Sequence, residues 1–270
     1  MLSKVFSATV NGLDAEQIDV ECDAGSGQYS CVIVGLADTA VQEARERVRS
    51  AIKNSGLSFP RGRVTVNLAP ADMKKHGALY DLPIALSIIL ADPDLRATIP
   101  DSAREEAKHS ICVGELSLEG RTRPVAGVIA IAHFARERGY TALFVPLENA
   151  QEAALIDGIV VYPVRTFAHL LDHLYGVCHI EPFERTPAPA HTLLESPLYD
   201  LSYIKGQHHA KRALEIAAAG AHHVLFSGAP GSGKTMLARV LPTLLPPLSQ
   251  EESLEVTRIW SVVGKLAPQE

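Results

Sequence analysis

The residues best suited to chemistry form one continuous motif. It satisfies the pattern G-x-x-x-x-G-K-[ST] and comprises Gly228, Ala229, Pro230, Gly231, Ser232, Gly233, Lys234 and Thr235. Glycines let such a loop curl so that successive N–H groups point at phosphate oxygens, and the dipole of the following helix adds positive charge. Lys234 would reach the β- and γ-phosphates, and Thr235 would bind the bridging Mg²⁺. The motif predicts binding of ATP with Mg²⁺, with Lys234 and Thr235 as catalytic residues.

The sequence around this motif has the strand-loop-helix order that a phosphate-binding loop requires. A helix is predicted at 207–220, followed by a short apolar strand at 222–227. A second helix should cover 237–245, broken near Pro242 and at the prolines that follow. The alternative interpretation is a glycine-rich turn that binds no ligand.

Hydrolysis of ATP needs further groups, among them a carboxylate at the end of a second strand. The acids that follow the motif lie in an amphipathic, helix-like stretch, and we interpret them as surface residues: Glu251, Glu252, Glu255 and Glu270. The sequence ends about 35 residues after Thr235, so we expect the remaining strands of a nucleotide-binding sheet to lie outside it. We therefore predict weak ATP binding and no measurable turnover by the chain as given.

Periodic patterns in the N-terminal part indicate strands that alternate with helices. Strands are predicted at 64–68, 111–113 and 142–145. Together with the motif, this pattern predicts an α/β chain in which an N-terminal α+β domain is followed by part of a P-loop domain.

The clearest N-terminal helix should begin after Asp38 and Thr39, because apolar residues then recur at three- and four-residue spacing. One face of this helix is basic and carries Arg45, Arg47 and Arg49. We interpret that face as solvated helix surface, with a binding patch as the alternative.

A proline-rich stretch divides the sequence. Four prolines occur between 178 and 197, without apolar periodicity, which is typical of a linker. We predict a domain at 1–178, a linker at 179–199 and a second domain at 200–270.

The composition is that of a chain that can bury cores, and it gives no support for a broad affinity for nucleic acid or lipid. Hydrophobic residues make up 47% of the chain, and the formal net charge is −6. The four cysteines are scattered and form no C-x-x-C pair, so we interpret them as reduced thiols. Neither a secretory signal nor a long apolar run stands out. We expect a cytoplasmic protein without a membrane partner.

The segments leading into the motif resemble the magnesium-chelatase-like branch of the AAA+ ATPases. They are residues 200–207, 210–217 and 222–227. Within that branch the sequence is similar to the group of competence protein ComM and YifB, which also has an N-terminal domain beginning much like residues 1–36. The resemblance implies a homo-oligomeric ring that acts on DNA. It further implies that Ile204, Gly206 and Gln207 lie near the adenine, the alternative being a helix cap and a core contact.

The N-terminal domain is also similar to the proteolytic domain of the ATP-dependent Lon protease. Segments 113–121 and 144–149 carry this similarity, which implies a fold of the ribosomal-S5 domain-2 type. Lon-type catalysis needs a Ser nucleophile activated by a Lys. Residues 75–81 place Leu79 where Lon has that Ser, and 125–131 contain no Lys. We expect no peptidase activity.

Three hypotheses of function follow. The first is an AAA+ ATPase that, at full length, acts on DNA as a helicase or branch-migration motor. The second is a chelatase-type or protein-remodelling ATPase with a polypeptide partner, and the third is a non-enzymatic binding fragment. The DNA part rests on the resemblance alone, because residues 200–270 hold seven bases and six acids and residues 1–178 hold 17 and 22.

Overall fold

The computed structural model describes two compact units. The described residues are 1–35, 38–73, 75, 77–185 and 199–266. Unit 1 comprises Met1–Thr186 with Leu254–Glu270, and unit 2 comprises Pro187–Ser253. Residues 186–198, which contain most of the proline-rich stretch, lie outside the described residues. The linker and the domain boundaries inferred from the sequence therefore stay a prediction.

Unit 1 is built on a seven-stranded sheet. Its strands are β1 (Leu2–Asn11), β2 (Asp14–Gly25), β3 (Ser30–Val34), β4 (Arg63–Ala69), β5 (Ser110–Cys112), β8 (Ala142–Pro146) and β9 (Val160–Val164). A separate antiparallel ribbon consists of β6 (Glu115–Leu116) and β7 (Thr122–Arg123). The order in the large sheet is β3-β4-β2-β1-β5-β8-β9. β2 pairs antiparallel with β1 and β4, and the other four neighbouring pairs are parallel.

Helices cover both faces of this sheet. They are α1 (Thr39–Asn54), α2 (Asp81–Ala91), α3 (Pro93–Ala97), α4 (Asp101–Lys108), α5 (Val128–Glu137), α6 (Ala150–Ala153), α7 (Phe167–Leu174) and the greater part of α10 (Gln250–Val262). Strand side chains alternate between the faces, so Phe144 in β8 joins the cluster formed with α1 and α2, while Leu143 and Val145 join that of α5. Every residue of α2 is buried. The α/β class predicted from the sequence is confirmed, and the S5-type fold stays a prediction.

The predicted strands and the first predicted helix of unit 1 are confirmed. The expected strands coincide with β4, β5 and β8, and α1 begins after Asp38, whose carboxylate accepts a hydrogen bond from the Val41 N–H at 2.9 Å. All four cysteines are free, and only Cys178 is exposed. Among the described helices, none combines the length and the apolar character that a membrane crossing requires.

Unit 2 contains α8 (His208–Ala219), α9 (Lys234–Leu244) and the first residues of α10. Both predicted helices are confirmed, although α9 continues through Pro242 without a break. The predicted strand at 222–227 is wrong, since none of the described residues 199–253 forms a strand. A strand needs a hydrogen-bonded neighbour, and Leu225, which a sheet would bury, is 93% exposed.

Candidate nucleotide-binding site

The loop between residues 228 and 233 is shaped by two glycines with left-handed backbone conformations. Gly231 has φ +79° and Gly233 has φ +83°, and a side chain at either position would be strained for that reason alone. Between them the Ser232 N–H donates to the Ala229 carbonyl at 3.3 Å, which closes a turn. The loop has the curled backbone that the sequence pattern predicts.

Helix α9 begins directly after this loop with an open N-terminus. Gly233 is the N-cap residue, and it offers no side chain to the helix. The first hydrogen bond inside the helix runs from the Leu237 N–H to the Gly233 carbonyl at 3.0 Å. The amides of the preceding turn therefore point out of the helix end, where the positive end of the dipole favours an anion.

Lys234 lies folded back over the loop. Its Nζ donates to the carbonyls of Gly228 at 2.9 Å and Ala229 at 2.8 Å, and lies 3.4 Å from the Ser232 Oγ. These neutral acceptors hold the ammonium group at the mouth of the loop. A phosphate bound there would offer the same ammonium group charged oxygens, which form stronger hydrogen bonds than carbonyls.

Thr235 is exposed on the first turn of α9, one residue beyond Lys234. A Mg²⁺ ligand at this position must be accessible in this way. The acids Glu251, Glu252 and Glu255 are exposed on α10, as predicted, and Glu270 lies outside the described residues. In the described ranges no group of three or more His, Cys, Asp or Glu side chains could hold a metal ion.

The segment predicted to lie near the adenine has two kinds of residue. Ile204 is buried against Leu214, Leu237 and Val240, which is the core contact given above as the alternative. Its neighbours Gly206 and Gln207 form two consecutive left-handed residues, with φ +69° and +53°.

Gln207 is the residue that connects this segment to the loop. Its side-chain amide lies 3.5 Å from the Ser232 carbonyl, so it can donate a long hydrogen bond to the loop backbone. The sequence pattern did not predict this contact, because the two residues are 25 positions apart. The structure therefore brings Gln207 to the glycine-rich loop and places Ile204 in the core of unit 2.

In unit 1, the residues compared above with the Lon catalytic segment make structural contacts. Leu79 is partly buried and packs against the core. Lys75 is fully buried, and its Nζ donates to the Pro70 carbonyl. Asp81 is also buried and accepts two hydrogen bonds from the Arg47 guanidinium. His76 lies outside the described residues.

Two family models match the chain. Residues 20–149 match the model described as subunit ChlI of Mg-chelatase, and residues 200–270 match the model described as magnesium chelatase, subunit ChlI. The second match contains the whole glycine-rich loop with Lys234 and Thr235. These matches define the chain as a protein of the magnesium-chelatase-like class of AAA+ ATPases.

Three relatives extend over nearly the whole chain. An uncharacterized protein of Mycobacterium tuberculosis is 44% identical over 98% of this chain and 51% of its own length. YifB of Escherichia coli is 41% identical over 97% of this chain and 50% of its own. Competence protein ComM of Haemophilus influenzae is 38% identical over 97% of this chain and 50% of its own. The chain belongs to the ComM/YifB family, and it spans about half the length of these relatives.

Part of the chain is also similar to a protease. Lon protease 2 of Bacillus subtilis is 41% identical over 170 residues, which are 58% of this chain and 30% of that protein.

Proposed function

We propose that residues 228–235 bind ATP together with Mg²⁺. The observation that carries this proposal is the uncapped N-terminus of α9, placed directly after two left-handed glycines and beside the Lys234 ammonium group. Backbone amides, a helix dipole and one point charge then converge on the volume that phosphates would fill. Thr235 would hold the Mg²⁺, and Gln207 would position the loop through its contact with the Ser232 carbonyl.

Each residue has a separate task in this proposal. Lys234 exchanges its carbonyl acceptors for β- and γ-phosphate oxygens and stabilises the charge that develops there. With Mg²⁺ held at Thr235, the ion would supply further stabilisation of the phosphate charge. Ile204 supports the site from the core, while Gly206 allows the turn that brings Gln207 to the loop.

We propose further that the whole protein is a ring-forming AAA+ ATPase that acts on DNA in the cytoplasm. Family membership supports the ATPase class, and the name of one relative, competence protein ComM, supports a task in competence for that relative. The scattered free cysteines fit a reducing compartment. We also propose that residues 1–178 fold as an S5-type, Lon-like domain without peptidase activity and that residues 200–270 begin the AAA+ module.

The binding test uses a fluorescent ATP analogue, titrated into the 270-residue chain with and without Mg²⁺. Lys234→Ala removes a charged hydrogen-bond donor, a loss of about 1.5–3 kcal/mol, so affinity should fall roughly 10- to 150-fold. The matched control is Arg212→Ala, which removes an exposed cation on α8 and should leave affinity within about twofold. Equal affinities of the parent and the Lys234→Ala variant would refute the proposed site.

The Mg²⁺ ligand has its own pair of variants. Thr235→Ser keeps the hydroxyl and should keep the gain in affinity that Mg²⁺ gives the parent. Thr235→Val has nearly the same volume without the hydroxyl and should lose that gain while still binding the metal-free nucleotide. A Mg²⁺ effect that is unchanged in Thr235→Val would mean that Thr235 does not bind the ion.

A further inference from the structure

One short stretch of unit 1 is strongly basic within an acidic chain. Residues 45–63 contain six bases and one acid, whereas the whole chain has a net charge of −6. Two of these bases are neutralised: Arg45 pairs with Glu46, and Arg47 pairs with the buried Asp81. Four bases have no ion pair in the part of the chain that the structure describes, and they are Arg49, Lys53, Arg61 and Arg63.

The three arginines of α1 therefore differ in environment. Arg47 faces the core, which contradicts its interpretation as solvated surface, because its partner Asp81 is buried in α2. Arg45 and Arg49 point away from that side, and Lys53 lies one turn beyond Arg49 on the same face. The binding patch, which was the alternative interpretation, applies to the Arg49 face alone.

Arg49 and Lys53 line an open pocket of about 700 Å³. The loop between α1 and β4 completes it with Phe59 and Arg61, and Tyr29 joins it from the loop between β2 and β3. We call these five residues the basic pocket. None of the described residues that line it carries a carboxylate.

Aromatic rings lie among these cations. The Arg49 guanidinium is 4.9 Å from the centre of the Tyr29 ring, and the Phe59 ring meets Tyr29 edge to face at 6.2 Å. Tyr29 is 44% exposed, so this stack is open to a ligand. Rings and guanidinium planes are both surfaces on which nucleobases stack.

The backbone holds the pocket loop in place. A Cβ at Gly62 would lie 1.9 Å from the Gly25 carbonyl oxygen, so only glycine allows the loop to approach the end of β2 this closely. This approach fixes Arg61, the residue before Gly62, next to the Tyr29 loop. The backbone that carries Arg61 is therefore held at the pocket before any ligand arrives.

We propose that the basic pocket binds single-stranded nucleic acid. The cations of Arg49, Lys53 and Arg61 neutralise successive phosphates, and a base stacks on the Tyr29–Arg49 pair. Non-specific single-strand binding sites combine these two features, a positive groove and stacking platforms. An acidic polypeptide would pair with the cations, but it has no nucleobases to stack on the aromatic surface. The proposal rests on the DNA-acting function proposed above and gives it a location in unit 1.

The test is fluorescence anisotropy of the 270-residue chain with a labelled 20-nucleotide single-stranded DNA at several salt concentrations. The triple variant Arg49→Gln/Lys53→Gln/Arg61→Gln should bind at least about tenfold more weakly, and its salt slope should be smaller by roughly 2, because about 0.7 is expected per phosphate contact. The matched control, Lys108→Gln/Arg136→Gln/Arg138→Gln, removes three exposed cations of α4 and of the C-terminal end of α5 and should stay within about twofold. Circular dichroism confirms that all variants are folded.

Two further arms identify the ligand class. Tyr29→Ala should weaken the binding of DNA and leave the binding of labelled polyglutamate unchanged, and the parent should prefer DNA to polyglutamate at equal chain length. Polyglutamate binding that equals or exceeds DNA binding would overturn the proposal in favour of an acidic polypeptide partner.

The remaining outcomes separate this proposal from the nucleotide site. If the parent binds DNA and the triple variant binds it equally well, the basic pocket is refuted while a DNA-acting function stands. If the parent binds no DNA at all, the basic pocket and the DNA-acting function are both refuted for this chain. The ATP titration then still tests whether the loop at 228–235 binds nucleotide.

Discussion

Helices α1 and α9 begin in opposite ways. In unit 1, the Asp38 carboxylate caps α1 by accepting a hydrogen bond from the Val41 N–H. In unit 2, α9 begins at a glycine that offers no side chain, and its first-turn amides remain available. A side-chain cap satisfies a helix end permanently, whereas an uncapped end can bind an anion. At these two helix ends, α1 uses a polar side chain for stability, whereas we propose that α9 keeps its free amides for a ligand.

The two units also differ in the size of their apolar cores. Unit 1 buries two large apolar clusters, one on each face of its sheet, and α2 is buried along its entire length. The described cluster of unit 2 consists of Ile204, Leu214, Leu237 and Val240. The unit with the clear chemical motif therefore has the smaller core. A phosphate-binding loop can be recognised by its local sequence whatever the size of the core that supports it.

The largest effect is expected from breaking the buried ion pair of unit 1. Arg47 donates to Asp81 through Nε at 2.7 Å and Nη2 at 3.0 Å, and Asp81 also accepts from the Leu116 N–H at 3.2 Å. Arg47→Ala leaves a buried carboxylate without its cation, so the free energy of unfolding should fall by about 3–5 kcal/mol. Urea denaturation, monitored by circular dichroism, measures this free energy of unfolding.

The control for this prediction is Arg45→Ala. Arg45 pairs with Glu46 at the surface, and its loss should change the free energy of unfolding by less than about 1 kcal/mol. Burial raises the pKa of Asp81 to about 6, against the opposing effect of Arg47. The Asp81 carboxyl therefore binds a proton more tightly in the folded state than in the unfolded state. In Arg47→Ala, protonation removes the unpaired buried charge, so the loss of free energy of unfolding should shrink as the pH falls from about 8 to about 5. Similar losses of the free energy of unfolding in Arg47→Ala and Arg45→Ala would show that the buried Arg47–Asp81 pair adds no special stability.

The predictions that the structure confirms are those drawn from local sequence patterns. The cap at Asp38, α1, α8 and the strand β4 follow from spacing within a few residues. The strand at 222–227 failed because pairing depends on residues elsewhere in the chain, which the pattern of one segment does not contain.

Contacts between distant residues were also invisible to the sequence. Nothing in the spacing of α1 separates Arg47 from Arg45, because Asp81 is 34 positions away. The basic pocket combines residues from three elements, and the one available signal was the excess of bases at 45–63. The loop at 228–235 was recognisable because all of its parts are consecutive.

A smaller effect is expected from adding ATP with Mg²⁺. A ligand at about 100 times its dissociation constant stabilises the state that binds it by about 2.7 kcal/mol. Hydrogen exchange should therefore slow at the amides of residues 228–240, while the amides of β1 and β2 should not change. Removing Mg²⁺ with EDTA should reverse part of the protection, and Lys234→Ala should abolish most of it. Protection confined to unit 1 would contradict the nucleotide site that we propose in unit 2.

The smallest effect concerns the cap of α1. Asp38→Ala removes the acceptor for the Val41 N–H and a longer hydrogen bond from the Gly77 N–H at 3.3 Å, so unit 1 should lose about 1 kcal/mol of its free energy of unfolding. Asp38→Asn keeps an acceptor oxygen and should lose only a part of this. The midpoints of urea denaturation compare the two variants with the parent. If Asp38→Ala is as stable as the parent, the cap adds nothing to α1, and the uncapped start of α9 can no longer be explained by a division between stability and ligand binding.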